Sequence, residues 1–206
     1  MLNSITIRSQ NFTDPERLVV ILHGYGTSGG DFAEVGKIFL SKQLDNTVFL
    51  FPDAPYECGH GGCGKQWFDL SEMSYSELRN GLDLVSPILY DYIKNSIVEH
   101  GCSNVNLIGF SQGAILAFEM LYYHGISKIV AYSGIFAIKE NSQSLSNAEV
   151  LIVHSDDDEV VPYKNATLAK ENLDTLRIKS RIKTCHNIGH TISVEGWTTG
   201  VAFLKG

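Results

Sequence analysis

Val105-Asn106-Leu107-Ile108-Gly109-Phe110-Ser111-Gln112-Gly113, continuing into Ala114-Ile115-Leu116-Ala117-Phe118, is the stretch that decides the fold. Val105 to Ile108 reads as a strand, mostly apolar as in parallel strands covered on both faces. Gln112 to Tyr123 is apolar nearly all round and reads as a buried helix. Gly109-Phe110-Ser111-Gln112-Gly113 therefore falls on a strand-to-helix turn, and that context gives the G-x-S-x-G pattern a mechanism. A sharp turn strains the serine and lifts its hydroxyl out of the sheet, while side chains at the flanking glycines would strike neighbouring backbone. The helix N-terminus favours negative charge developing beside it. The bland alternative is a turn that merely contains glycines. The flanking elements favour a nucleophilic Ser111.

The same alternation recurs on both sides. Strands are expected at Leu18 to Leu22, Thr47 to Phe51, Lys128 to Tyr132, Val150 to Val153 and Ile178 to Lys183, with Ser4 to Arg8 as an edge strand. Ser74-Tyr75-Ser76-Glu77 reads as a capping box opening a helix with apolar positions Leu78, Leu82, Val85, Leu89 and Ile93. Ser86-Pro87 is expected to kink or split that helix, and Gly101 to lie just past its end. Tyr163 to Leu173 and Ser193 to Leu204 read as the last two helices. Strand and helix alternating to the end indicate one α/β domain over residues 1–206, with a mostly parallel sheet and helices on both faces. Pro52 to Tyr75, rich in Gly, Cys and aromatics, is too long for an ordinary connection and reads as a functional cover.

Composition bounds the function classes. The chain of 206 residues is 44% hydrophobic and 19% charged, ordinary values for a globular protein. Its formal net charge of -7 argues against nucleic acid and against simple attraction to anionic membranes. The N-terminus lacks a basic segment followed by an apolar run, and no run is long enough for a membrane span, so free thiols in a reducing cytoplasm are expected. Cys58 and Cys63 flank Gly59-His60-Gly61-Gly62, but their spacing is looser than that of zinc pairs and no second pair accompanies them. No metal or cofactor is implied.

An acylating serine needs a base. In this kind of fold the partners follow in the order serine, acid, histidine. Of the seven histidines, chain order leaves His186 and His190. His190, in the loop between the last strand and the last helix, is favoured; His186 reads as structural or surface. The acid lies in Asp156-Asp157-Asp158-Glu159, among which the residues alone do not choose, since aspartates also crowd turns for local reasons. One oxyanion donor is expected at the backbone N–H of Gln112. The other should come from Leu22-His23-Gly24-Tyr25-Gly26, whose glycines permit the backbone turn. His23 reads as an anchor of that loop.

With these residues in place, the chain resembles the carboxylesterase, acyl-protein thioesterase and lysophospholipase family of small α/β-hydrolases. The resemblance runs nearly the full length: Leu22-His-Gly-Tyr-Gly26, Phe51-Pro-Asp-Ala-Pro55, Trp67-Phe-Asp69, Gly109-Phe-Ser-Gln-Gly113, Asp158-Glu-Val-Val-Pro162 and Gly189-His190. It implies that Asp158, two residues before Val160-Val161-Pro162, is the acid, and that the oxyanion donors are the amides of Tyr25 and Gln112. His154-Ser155 stands where His-Gly is common, and Cys185-His186 is also unusual. Neither removes a catalytic group, but both fall in the segments that hold Asp158 and His190. The resemblance makes Trp67-Phe68-Asp69 an acyl-side loop. With Tyr25, Leu70, Met73 and Tyr75, Trp67 and Phe68 form an apolar substrate wall on one reading and pack the loop onto the domain on the other.

The function expected is a carboxylesterase with a Ser111–Asp158–His190 triad, acting on a small-molecule or lipid acyl ester. The alternative is a thioesterase or lysophospholipase for long acyl chains, and the remote alternative is a non-catalytic binding protein on the same fold. The resemblance allows a homodimer, but no residue locates an interface.

Overall fold

The computed structural model describes residues 2–59, 64–71, 74–137 and 146–206. Along the chain run β1 (Ser4–Arg8), β2 (Arg17–Leu22), α1 (Gly29–Phe39), β3 (Thr47–Pro52), the two-residue strands β4 (Tyr56–Glu57) and β5 (Lys65–Gln66), and α2 (Tyr75–His100). They are followed by β6 (Asn104–Phe110), α3 (Gln112–Glu119), β7 (Ile126–Tyr132), β8 (Glu149–Ser155), α4 (Lys164–Thr175), β9 (Ser180–Cys185) and α5 (Val194–Lys205). Among the described residues seven strands form one sheet in the order β1-β3-β2-β6-β7-β8-β9. Only the β1–β3 pairing in it is antiparallel.

Strand periodicity sorts the core into two layers. Leu18, Val20 and Leu22 point to the face covered by α2, α3 and α4, in the same core layer as Leu82, Leu116 and Leu173. Val19 and Ile21 point to the other face, where α1 and α5 contribute Ala33, Trp197 and Val201. Truncating one such leucine to alanine would cost about 2–5 kcal/mol, because the close-packed layer collapses only partly around the gap.

The structure departs from the sequence expectations in three instructive places. Helix α1 was not among the helices expected from the sequence. Its signal was Ser28, which caps the Asp31 N–H while the Asp31 carboxylate accepts from the Ser28 N–H. Gly29 and Gly36 allow close packing: a Cβ at Gly29 would lie 2.2 Å from the Phe51 carbonyl oxygen, and one at Gly36 2.3 Å from the Phe51 ring. Pro87 does not split α2, which runs unbroken for 26 residues. Pro87 lacks the N–H that would donate to the Asp83 carbonyl, but both residues lie on the exposed face, and the buried stripe continues from Leu78 to Ile93. The final strand lies two residues later than expected, which puts Cys185 inside it.

Strand order reverses at β2: the chain proceeds to β3 on one side and to β6 on the other. In open parallel sheets such a reversal leaves a crevice at the carboxyl ends of the strands. The segments that begin at Leu22 and Gly109, paired residues of β2 and β6, enter that crevice side by side.

Candidate active site

Ser111 occupies the turn between β6 and α3 with φ 53° and ψ -118°. This is a left-handed conformation that a non-glycine residue adopts only when its surroundings compel it. Two contacts compel it here. The Ser111 N–H donates to the Tyr132 carbonyl at the end of β7, 2.9 Å away. The turn is also too tight for side chains on either flank: a Cβ at Gly109 would lie 2.3 Å from the Gly113 oxygen, and one at Gly113 2.2 Å from the Leu22 oxygen.

His190 Nε2 lies 3.0 Å from Ser111 Oγ, and His190 Nδ1 lies 2.8 Å from Asp158 Oδ2. An ionised carboxylate only accepts, so Nδ1 carries the proton and donates to Asp158; Nε2 is then free to accept from the serine hydroxyl. Asp158 is 5% exposed. Burial alone would push its carboxyl up, but hydrogen bonds from His190, the Val161 N–H and the Ser133 hydroxyl outweigh burial and hold it below the ordinary carboxylate value. Of the four adjacent carboxylates it is Asp158 that meets His190, while Asp156, Asp157 and Glu159 are exposed.

The turn that carries Asp158 is fixed by His154, which sequence reasoning noted only as part of a departure. The His154 ring is buried at the end of β8, and its Nε2–H donates to the Val161 carbonyl at 2.7 Å. The Val160 and Val161 N–H groups donate to Asp158 Oδ1 at 3.0 and 2.8 Å, closing the turn on the carboxylate. Burial depresses the His154 pKa and favours the neutral ring.

The loop after β2 is anchored by His23, which is fully buried. Its Nε2 accepts from the Ala54 N–H at 3.0 Å, so Nδ1 carries the proton and donates to the Gly24 carbonyl at 2.7 Å. Trp67 completes this packing: it is 0% exposed and its indole N–H donates to the His23 carbonyl at 2.9 Å. Trp67 therefore pins the cover onto the domain and is not a substrate wall, because a side chain with no accessible surface presents none to a ligand. The Gln112 side chain holds the same segment, its Oε1 accepting from the Trp67 N–H at 2.8 Å and its Nε2 donating to the Phe68 carbonyl at 2.6 Å. Sequence reasoning assigned Gln112 only a backbone role. The signal it missed is a long amide at the first position of an otherwise apolar helix.

Tyr25 is half-exposed, with its hydroxyl toward the Cys58 thiol, which raises the phenol's pKa. Phe68 lines a cleft of about 800 Å³ between the β4–β5 hairpin and α2, together with Tyr56, Asp69, Gly81 and Leu84. Neither Ser111 nor His190 lines that cleft. Leu70 is partly buried against the larger core layer, and Met73 lies outside the described residues. Among the described residues no group of three or more His, Cys, Asp and Glu side chains is placed to hold a metal ion, and no helix is long and apolar enough to cross a membrane.

A mostly parallel sheet with a left-handed serine on one βα turn, and an aspartate–histidine pair reaching it from later strand ends, defines an α/β-hydrolase. The chain belongs to the phospholipase/carboxylesterase family, whose model matches residues 6–205. It is similar to the crystal structure of esterase PE8, at 30% identity and TM-score 0.91, over 99% of this chain and 98% of that one. It is also 28% identical over 199 residues to acyl-protein thioesterase 1 homolog 1 of Dictyostelium discoideum, covering 90% of this chain and 88% of the relative. Carboxylesterase SOBER1 of Arabidopsis thaliana is 26% identical over 203 residues, covering 87% of this chain and 88% of the relative. The fold and family are those of carboxylic ester hydrolases.

Proposed function

We propose that this protein cleaves carboxylic esters through an acyl-serine intermediate on Ser111. The observation that carries the reading is the unbroken hydrogen-bonded chain from Ser111 Oγ through His190 to the buried Asp158 carboxylate. His190 Nε2 takes the hydroxyl proton as Ser111 Oγ attacks the carbonyl carbon. The oxyanion is received by the backbone N–H groups of Gln112 and Tyr25, at the ends of the adjacent strands β6 and β2. The imidazolium, stabilised by Asp158, returns its proton to the leaving alkoxide. Water then repeats the sequence on the acyl-enzyme, releasing the acid and restoring Ser111.

A fluorophosphonate probe should label wild type at Ser111 and leave Ser111→Ala unmodified. A correctly folded wild type that takes no label would overturn the reading. The acyl group is set by a second measurement, the rate across p-nitrophenyl esters of increasing chain length beside a palmitoyl thioester. The small-ester reading expects a maximum at short or medium chains. A maximum with the palmitoyl thioester would replace it with the long-acyl thioesterase reading; thioesterase is the activity in the Dictyostelium relative's name.

A further inference from the structure

We propose that Asp157, an exposed aspartate beside the acid of the triad, is a positioning residue for His190: its carboxylate clips the loop between β9 and α5 into the shape that aims the imidazole at Ser111. The proposal rests on the Ser111 reading above and adds a residue outside it.

The loop from His186 to Ser193 reverses sharply, with Asn187 at φ 56° and Gly189 at φ 61°, both left-handed. Successive N–H groups in such a turn point the same way and form a small anion-binding concavity. The Asp157 carboxylate sits in it: Oδ1 accepts from the Ile188 N–H at 3.2 Å and from the Gly189 N–H at 3.0 Å. The latter residue directly precedes His190. The same oxygen also accepts from the hydroxyl of Ser155, a buried residue that closes β8. The clip thus runs from a rigid strand end, through one carboxylate oxygen, to the backbone of the catalytic loop. Ser155 is also the residue that departs from the family's common His-Gly; a glycine there has no hydroxyl to donate.

The bonds are charge-assisted. The Ser155 hydroxyl first, and then the Gly189 N–H, hold the Asp157 carboxyl below its ordinary value, so it remains ionised wherever a histidine base is neutral. Its neighbour Asp156 makes a useful contrast. Asp156 Oδ2 meets His186 Nδ1 at 2.6 Å, but both side chains are exposed, and they tie a side chain four residues before His190 rather than the adjoining backbone. Exposed ion pairs of that kind contribute little.

The test is steady-state hydrolysis of a p-nitrophenyl ester, with rates expressed per active site counted by fluorophosphonate titration. Asp157→Ala should lower kcat about tenfold and leave KM within about twofold, because a loosened base affects the reacting geometry more than substrate binding. Asp157→Asn keeps an acceptor oxygen in place and should recover kcat to within about threefold of wild type, while Asp156→Ala should stay within about twofold. An unchanged kcat per titrated site in Asp157→Ala, an Asn variant as impaired as the Ala variant, or an equal loss in Asp156→Ala would each overturn the clip. Amide hydrogen exchange separates this proposal from the catalytic one. Faster exchange at Ile188 and Gly189 in Asp157→Ala supports the clip even if wild type proves unreactive, and unchanged exchange refutes it.

Discussion

The two halves of the site are held by different physics. On the Ser111 side the backbone itself is the restraint: glycines at 109 and 113 let β6 meet α3, and α3 meet the end of β2, at distances that no Cβ allows, and the serine is forced left-handed. On the His190 side the restraint is polar and partly exposed, made of side-chain bonds from Asp157 and Asp158 across 31 or more residues of sequence. Steric exclusion admits one geometry and is hard to perturb gradually. Polar clips can be weakened one bond at a time, so the His190 side, and not the Ser111 side, is where this site is adjustable.

The largest expected effects come from removing one group on each side of the site. Ser111→Ala should reduce ester hydrolysis by roughly 10⁶-fold, and Asp158→Asn by about 10⁴-fold by imposing the wrong imidazole tautomer, both read as kcat on one ester. Ser111→Gly should be equally inactive yet more stable by about 1 kcal/mol in urea denaturation, because glycine relieves the left-handed strain. A Ser111→Gly variant less stable than wild type would show that the turn stores no strain.

Gly113→Ala tests the steric restraint itself. With the new Cβ placed 2.2 Å from the Leu22 oxygen, a loss of about 3 kcal/mol or more is expected from the denaturation midpoint. A loss below about 1 kcal/mol would mean that the turn relaxes and that the contrast between the halves is weaker than drawn. Gln112→Ala removes the clamp on Trp67 and Phe68 and leaves their buried N–H and C=O without partners, which should cost about 2 kcal/mol of stability.

The smallest effect is a pH dependence of stability set by the two anchoring histidines. Burial holds His23 and His154 below their ordinary value of 6.5. Below about 6.5 the unfolded chain takes up protons that the folded chain refuses, so stability is fully present above that pH and is lost as pH falls toward the depressed folded values. The slope is at most about 1.4 kcal/mol per pH unit for each histidine. Urea midpoints at pH 7.5 and 5.5 measure it, and His154→Asn should flatten the dependence.

Much of the fold was legible because its determinants are local. Apolar runs such as Leu18 to Leu22 mark strands covered on both faces, and the stripe from Leu78 to Ile93 marks α2. Helix α1 escaped because its glycines serve a distant surface, the backbone and ring of Phe51, which nothing near Gly29 or Gly36 discloses. Pro87 misled for the converse reason. Its local penalty is real, but it falls on the solvent face, away from the buried stripe.

The site divides in the same way. The turn that presents Ser111 is announced by glycines within a few positions of it, because a Cβ at Gly109 would strike Gly113, although Gly113 in its turn meets the distant Leu22 carbonyl. Neighbours in sequence cannot say which of four consecutive carboxylates reaches His190, whether Trp67 faces a substrate or the core, or that Asp157 holds a loop rather than water. Those outcomes depend on strand order, which brings β8 beside β9 and aligns their carboxyl ends, and on burial, which exists only once the layers close.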